Sequence, residues 1–387
     1  MQWENLASKI YDFLVIGAGS AGCSSAYFLQ KSGKSVAIID REGIAGGASG
    51  VAGAFLSPLP GKKNAYNTFV NEALNFSMNF YEKLNPKAII KQGVLRVPND
   101  NFSKEKLENN DIEYEYFDSE KLKNISKNFK DIDGYFYQDA AVIEPLSICN
   151  KLVEGCDFYK RDVDKLVFKD GIYSIQDLKA KNIILAQGVS NSLIKHPYFE
   201  ISPIFGLRID AKTSTKIPFN IHKSISISTN KNDGTVAIGA THERHDSSQL
   251  ECTTTCDKCL FYVDKEKEQV DYLLEKAKEL VDLKDLQVVK TYKGARATIK
   301  SYFPVIGRVV DYEASLKKYP SIKNGTKISQ DLLEYFPNIY IINALGSRGF
   351  VFGPYLAQIL SKHILNETPI PKEVSTQKLF FKKARKG

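Results

Sequence analysis

Two arginines sit in glycine-rich surroundings late in the chain: Arg296 in Lys293-Gly294-Ala295-Arg296-Ala297-Thr298, and Arg348 in Gly346-Ser347-Arg348-Gly349. A guanidinium is a planar fork that can hold a carboxylate through two parallel hydrogen bonds. Either residue could anchor a small acid; the alternative for each is a structural ion pair. Near the start, Gly17-x-Gly19-x-x-Gly22 follows the apolar run 13–16, and a second apolar run, 36–39, ends in Asp40. These residues suit a dinucleotide. Gly17 allows a tight turn, and Gly19 lets the backbone approach a pyrophosphate. Ser20 and Ala21 open a helix whose N-terminus attracts that charge. Gly22 lets helix and strand pack closely, and Asp40, with Arg41 beside it, accepts hydrogen bonds from a ribose. The alternative is a glycine-rich turn without a ligand.

The elements that must position these residues are legible. A strand over 13–16, a helix over about 21–30 and a strand over 36–40 form one βαβ unit. Gly46-Gly47-Ala48-Ser49-Gly50 is too glycine-rich for a helix and suits a loop wrapped around more of a ligand. The run 182–188, NIILAQG, reads as a buried strand ending at Ala186 and Gly188. The run 338–350, NIYIINALGSRGF, is another, ending in a loop that carries Gly346, Ser347, Arg348, Gly349 and Phe350, with a helix beginning near Pro354. One nucleotide fold closed by segments so far apart suggests a long flavin cofactor, FAD, rather than NAD. Val163, in the short strands of 158–176, is placed at the same site.

Elsewhere, 67–84 reads as an amphipathic helix, 92–98 as a short strand, and 99–138 as polar, aromatic-rich surface elements. A helix from Glu144-Pro145 to 153 returns the chain to the first domain. From 204 to 239 apolar and polar residues alternate between turn signals, including Asn232-Asp233-Gly234, which argues for an antiparallel sheet. A helix over 265–280 and a strand over 288–298 follow. The expected division is 11–90, 140–203 and 290–387 in a discontinuous cofactor domain, and 91–139 and 204–289 in a second domain built on a β-sheet.

At 387 residues, 43% hydrophobic and 25% charged, the chain has an ordinary globular composition. No apolar run approaches the ~20 residues that span a bilayer, and residues 1–13 lack a basic-then-apolar signal, so the expected location is the cytoplasm, without a membrane partner. The net charge is +8, part of it in Lys378, Lys382, Lys383, Arg385 and Lys386. That cluster could contact phosphates; on charge alone, a solvated frayed end is the favoured alternative. Six cysteines in a cytosolic chain argue against a disulfide framework. Cys252, Cys256 and Cys259, with His242 and His245 upstream, could hold zinc, although incidental thiols in a surface loop are the better-supported reading. None of the five histidines precedes residue 196, so a Ser-His-Asp hydrolase is unsupported.

Over essentially its whole length the sequence resembles the D-amino-acid oxidase/glycine oxidase (DAO) family of flavoproteins. Within that family it is most similar to the oxidase domain of bifunctional enzymes that modify the wobble uridine of tRNA. Gly47-Ala48-Ser49-Gly50 with Gly53-Ala54, Gly294-Ala295-Arg296-Ala297-Thr298 with Pro304-Val305-Ile306-Gly307, Asp311 to Leu316 (DYEASL), and Ala344 to Phe350 (ALGSRGF) carry the likeness. The resemblance implies an α/β fold: a Rossmann-like FAD domain of the glutathione-reductase type plus an antiparallel-sheet domain. It implies FAD-dependent oxidation of 5-carboxymethylaminomethyl-uridine in tRNA to 5-aminomethyl-uridine and glyoxylate. Arg296 would clamp the glycyl carboxylate and Arg348 would line the flavin–substrate cavity. Two departures bear on this. No methyltransferase domain precedes the flavin fold, so methylation of the product would fall to a separate methyltransferase. No cysteine follows 259, so FAD is expected to be non-covalent. The rivals are an oxidase of free glycine, sarcosine or a D-amino acid, and a flavin-binding redox sensor using the cysteine cluster.

Overall fold

The computed structural model describes residues 9–190, 193–194, 196–244 and 265–385. His245, Cys252, Cys256, Cys259 and Lys386 lie outside the described residues. Within them, no group of acids, cysteines and histidines is placed to hold a metal.

The first sheet grows from the Ile10–Ile16 strand, which pairs in parallel with Val36–Asp40 on one side and Leu178–Leu185 on the other. Leu14 and Val15 are buried, as are Ile38, Ile39, Ile183 and Ile184, because helices or loops cover both faces. Asp157–Lys160 extends the sheet beyond Val36–Asp40. Leu178–Leu185 pairs through its first half with the antiparallel strand Ile172–Ile175, and through its second half with the parallel strand Tyr335–Asn343. Among the described residues the sheet has eight strands. Phe13, Val15, Ile38 and Ile342 share one core with the helices Ser20–Lys31, Ala65–Leu84 and Gly349–Asn366. Leu14, Ile39, Ile183 and Ile341 point into the other. The helix Thr376–Ala384 docks on that second side with Phe380 buried, so the basic C-terminal segment is held rather than frayed.

The second sheet has nine strands among the described residues. Its centre is the long strand Ser202–Lys212, antiparallel to both Thr235–Gly239 and Gln287–Thr298. The short strand expected over 92–98 is Val94–Arg96, and the segment expected as surface elements supplies Gly134–Tyr137 and Glu115–Phe117 beyond it at the far edge. Asn220–His222 joins Val94–Arg96 in parallel, the exception in an otherwise antiparallel sheet. The helix Glu266–Lys278 covers one face, burying Leu273 and Ala277 against Leu207, Ile209 and Ile238. None of the described helices is long and apolar enough to cross a membrane.

Two expectations differ from the structure. Residues 290–298, assigned to the cofactor domain, lie in the second sheet, from Gln287 opposite Lys212 to Thr298 opposite Ser202. The residue pattern shows a strand but not its partner. The helix expected near Pro354 begins at Gly349 and carries Pro354 inside it. A proline there deprives the carbonyl four residues back of its donor. That carbonyl, on Phe350, accepts instead from the Tyr81 hydroxyl at 2.9 Å, while Ser77 Oγ donates to the next one, on Val351. Side chains from Ala65–Leu84 thus make the interior proline tolerable.

Candidate active site

A cavity of about 750 Å³ runs from the turn after Ile10–Ile16 to the face of the second sheet. Every cofactor-site and catalytic residue expected from the sequence lines it except Gly22. Gly22 serves the packing instead. A Cβ there would collide with the Gly17 carbonyl, so its absence seats helix on strand. Gly17 has φ of +107°, and a Cβ on it would run into the Ala186 carbonyl, so strand ends and turn meet without side chains between them.

At this end backbone dominates. Gly19 caps the helix without a side-chain bond, and the Ser20 N–H donates to Ser49 Oγ at 2.9 Å. The Gly46–Gly50 segment is thereby held over the helix N-terminus. Asp40 accepts from the N–H of Ala18 at 2.8 Å through one oxygen, and from Glu42 and Gly43 through the other. It therefore fixes the two loops that flank the cavity, and it lines the cavity at the end where a ribose is expected. Arg41 donates to Ser190 Oγ at 3.3 Å. The Gly188 carbonyl accepts from Asn343 Nδ2 at 2.9 Å, tying the ends of two neighbouring strands. A Cβ on Gly349 would lie 3.0 Å from Ser20 Oγ, so the 346–350 loop also reaches the helix N-terminus. The residues fit a long dinucleotide with its diphosphate at that N-terminus and its far half against the 346–350 loop, as FAD requires.

The other end is built from cationic side chains. Arg296, on Gln287–Thr298 opposite Ile204, donates from Nη1 to the Thr241 carbonyl at 3.3 Å. Its fork lies over Gly206, where a Cβ would stand 2.6 Å from Nη1 and 2.7 Å from Nη2. Arg348 donates from Nη1 to the Ser57 carbonyl at 3.1 Å. Desolvation, and then the neighbouring Arg296, lower the pKa of His242.

Among the lining residues that sequence reasoning missed are Arg96, Arg208 and His222. Arg208 is paired with Asp210, which also accepts from Lys231 at 3.0 Å, and it donates from Nε to the Val51 carbonyl at 2.7 Å. The second sheet thus grips the loop that follows the fingerprint unit. The available signal was a charge inside an apolar strand, as in Val94-Leu95-Arg96-Val97 and Leu207-Arg208-Ile209.

Solved structures share this architecture. A glycine oxidase from Bacillus cereus superposes with a TM-score of 0.74 at 17% identity, covering 93% of this chain and 96% of that one. An iminodiacetate oxidase from Chelativorans sp. gives 0.72 at 18% identity, covering 94% and 99%. Among curated proteins, the tRNA 5-methylaminomethyl-2-thiouridine biosynthesis bifunctional protein MnmC of Campylobacter fetus is 27% identical over 374 residues, 93% of this chain and 57% of that protein. The MnmC of Shewanella amazonensis is 22% identical over 98% of this chain and 61% of its own length. The chain therefore spans little more than half the length of these curated relatives. The FAD dependent oxidoreductase family, DAO, matches residues 12–363, and the chain belongs to that family, with FAD as its cofactor.

Proposed function

We propose that this oxidoreductase acts on the C–N bond of an N-substituted glycine, and that its substrate is the 5-carboxymethylaminomethyl group of a tRNA wobble uridine. The products are 5-aminomethyl-uridine and glyoxylate. The cationic end of the cavity carries this reading, because it suits a substrate that presents a carboxylate. The tRNA part is supported by the similarity to the MnmC proteins.

In this reading Gly17, Gly19, Ser20 and Ala21 hold the diphosphate of FAD, and the cofactor is non-covalent. Asp40 and Arg41 flank the adenosine end, with Val163 beside them. Gly47, Ala48, Ser49, Ala186, Gly188 and the 346–350 loop enclose the remainder. When bound, FAD supplies the two-electron acceptor for the substrate α C–H. Arg296 clamps the glycyl carboxylate and so fixes the α-carbon, and Arg348 lines the same cavity. Position and a neutral substrate amine are what the protein must secure. The oxidised substrate is an imine, which water hydrolyses. A wobble base must leave the anticodon stack to reach such a cavity.

The test is to mix purified holoenzyme with tRNA carrying the carboxymethylaminomethyl group, and separately with glycine and sarcosine. Glyoxylate and 5-aminomethyl-uridine from the tRNA, far faster than turnover of the free amines, is the expected result. Equal or better turnover of free glycine would replace the tRNA reading with that of a free amino-acid oxidase.

A further inference from the structure

The charges that line the cavity are unevenly distributed. Among the described residues its carboxylates are Asp40, Glu42 and Asp162, all on segments of the first sheet. Toward the second sheet the lining is arginine, lysine and histidine. Two of those cations carry their own counter-ion: Arg208 pairs with Asp210, and Lys293 with Glu266. Arg96 and Arg348 do not; neither has a carboxylate partner among the described residues.

Both are instead tied to one short turn. Arg348 donates to the Ser57 carbonyl at 3.1 Å, while Arg96 Nη2 donates to Ser57 Oγ at 3.0 Å and to the Pro58 carbonyl at 2.7 Å. These neutral acceptors orient the two guanidinium groups without cancelling their charge. Arg96 Nε is buried and has no hydrogen-bond partner. Both side chains are half-buried and border the cavity. Burial, and then Arg348, bring the Arg96 pKa down to about 10. Burial, followed by Arg96 and Arg348, holds His222 down to about 3, so this ring contributes no further positive charge.

Two half-buried guanidinium groups tied to one turn without an anion are unfavourable. An orphaned Nε–H compounds the penalty. A ligand that brings negatively charged oxygens relieves both. We infer that Arg96 and Arg348, oriented by the Ser57–Pro58 turn, form a carboxylate-binding point in the cavity, distinct from the Arg296 fork. Arg296 is oriented by different groups, the Thr241 carbonyl and the face of Gly206. The inference rests on the proposed N-substituted-glycine reading only for the choice of probe. Two sources could supply the carboxylate: the glycyl group itself, gripped from a second side, or the second acid of an imino-diacid.

The experiment measures binding, not turnover. Holoenzyme reduced with dithionite and kept free of oxygen, so that no probe can be oxidised, is titrated with acetate, sarcosine and iminodiacetate, following heat by calorimetry. The variants are Arg96→Gln and Arg96→Lys. The expected result is full FAD content in both. Arg96→Gln should weaken carboxylate binding at least about tenfold, the effect of losing one charge-assisted hydrogen bond. Arg96→Lys should recover part of it, since charge returns without the fork. Equal weakening for sarcosine and iminodiacetate assigns the site to the glycyl carboxylate; selective weakening for iminodiacetate assigns it to a second acid. Unchanged dissociation constants for all three probes in Arg96→Gln would overturn the inference. So would loss of FAD from both variants, which would make the cofactor the missing anion. Because the probes are small molecules, failure to act on tRNA leaves this result standing, and the reverse also holds.

Discussion

The Tyr81 hydroxyl donates to the Phe350 carbonyl, the acceptor that Pro354 leaves without a helical partner, and so joins the helix Ala65–Leu84 to the start of the one that carries the 346–350 loop. Tyr81 is fully buried and its ionisation is strongly opposed by that burial. Tyr81→Phe should therefore destabilise the protein by about 1–3 kcal/mol, the range for a buried acceptor left unsatisfied. Chemical denaturation of wild type and variant checks this. The packing of the ring is retained, so an unchanged midpoint would mean that water or another donor serves Phe350.

FAD retention should fail in Gly19→Val. A Cβ at Gly19 already stands 3.1 Å from Ser49 Oγ, and the valine methyls would extend into the cavity over the helix N-terminus. The ratio of flavin to protein absorbance in the purified variant reads the outcome. Acid denaturation of the wild type should release all of the yellow colour, and colour remaining with the protein would contradict non-covalent attachment.

Arg296→Ala should lower kcat/KM at least about 100-fold, the loss of two charge-assisted hydrogen bonds. Arg296→Lys should remain poor, because an ammonium cannot reproduce the fork over Gly206. Steady-state kinetics of the two variants decides it. Near-normal turnover of the lysine variant would remove Arg296 from the carboxylate-clamp role.

His222 gives stability a pH dependence of definite sign. Its pKa falls to about 3 in the folded protein, from burial first and from Arg96 and Arg348 next. The unfolded chain takes up a proton near pH 6.5 that the folded one refuses. This contribution to stability is complete above pH 6.5 and is lost as the pH falls toward 3, with a slope of up to about 1.4 kcal/mol per pH unit. His222→Gln should flatten the denaturation free energy over that window; an identical slope in the variant would show that other groups set it.

The basic C-terminal helix offers a test of nucleic-acid contact that leaves the fold intact. Lys382, Lys383 and Arg385 are exposed, whereas Phe380 and Ala384 are buried between them and the body. Deleting the helix would remove core, so Lys382→Gln, Lys383→Gln and Arg385→Gln are the informative changes. If these residues touch tRNA, the log–log salt dependence of binding should flatten by about one for each phosphate no longer engaged. The same slope in the triple variant would place the nucleic-acid surface elsewhere.

The fingerprint unit was legible because its signal is local: Gly17, Gly19, Gly22 and Asp40 stand at fixed offsets from two apolar strands. Arg296 and Arg348 were legible because glycines flank them. Arg96 was not, since its meaning depends on Ser57, Pro58 and Arg348, three positions remote from it in the chain that only folding brings together. The helix start at Gly349 was misread for a related reason: the donor that compensates for Pro354 is Tyr81, 269 residues from the carbonyl it serves. The partner of Gln287–Thr298 was likewise a tertiary fact. Asp40 was expected to face a ribose, but its bonds to Ala18, Glu42 and Gly43 give it a loop-fixing role that the motif alone does not reveal.

The parallel pairing of Leu178–Leu185 with Tyr335–Asn343 also sets the order of events during synthesis. The strand Ile10–Ile16 leaves the ribosome long before the 346–350 loop that forms the far wall of the cavity. Until then the nascent fingerprint turn lacks the far side of its cavity. Capture of FAD between both walls consequently waits until residues 346–350 have been made.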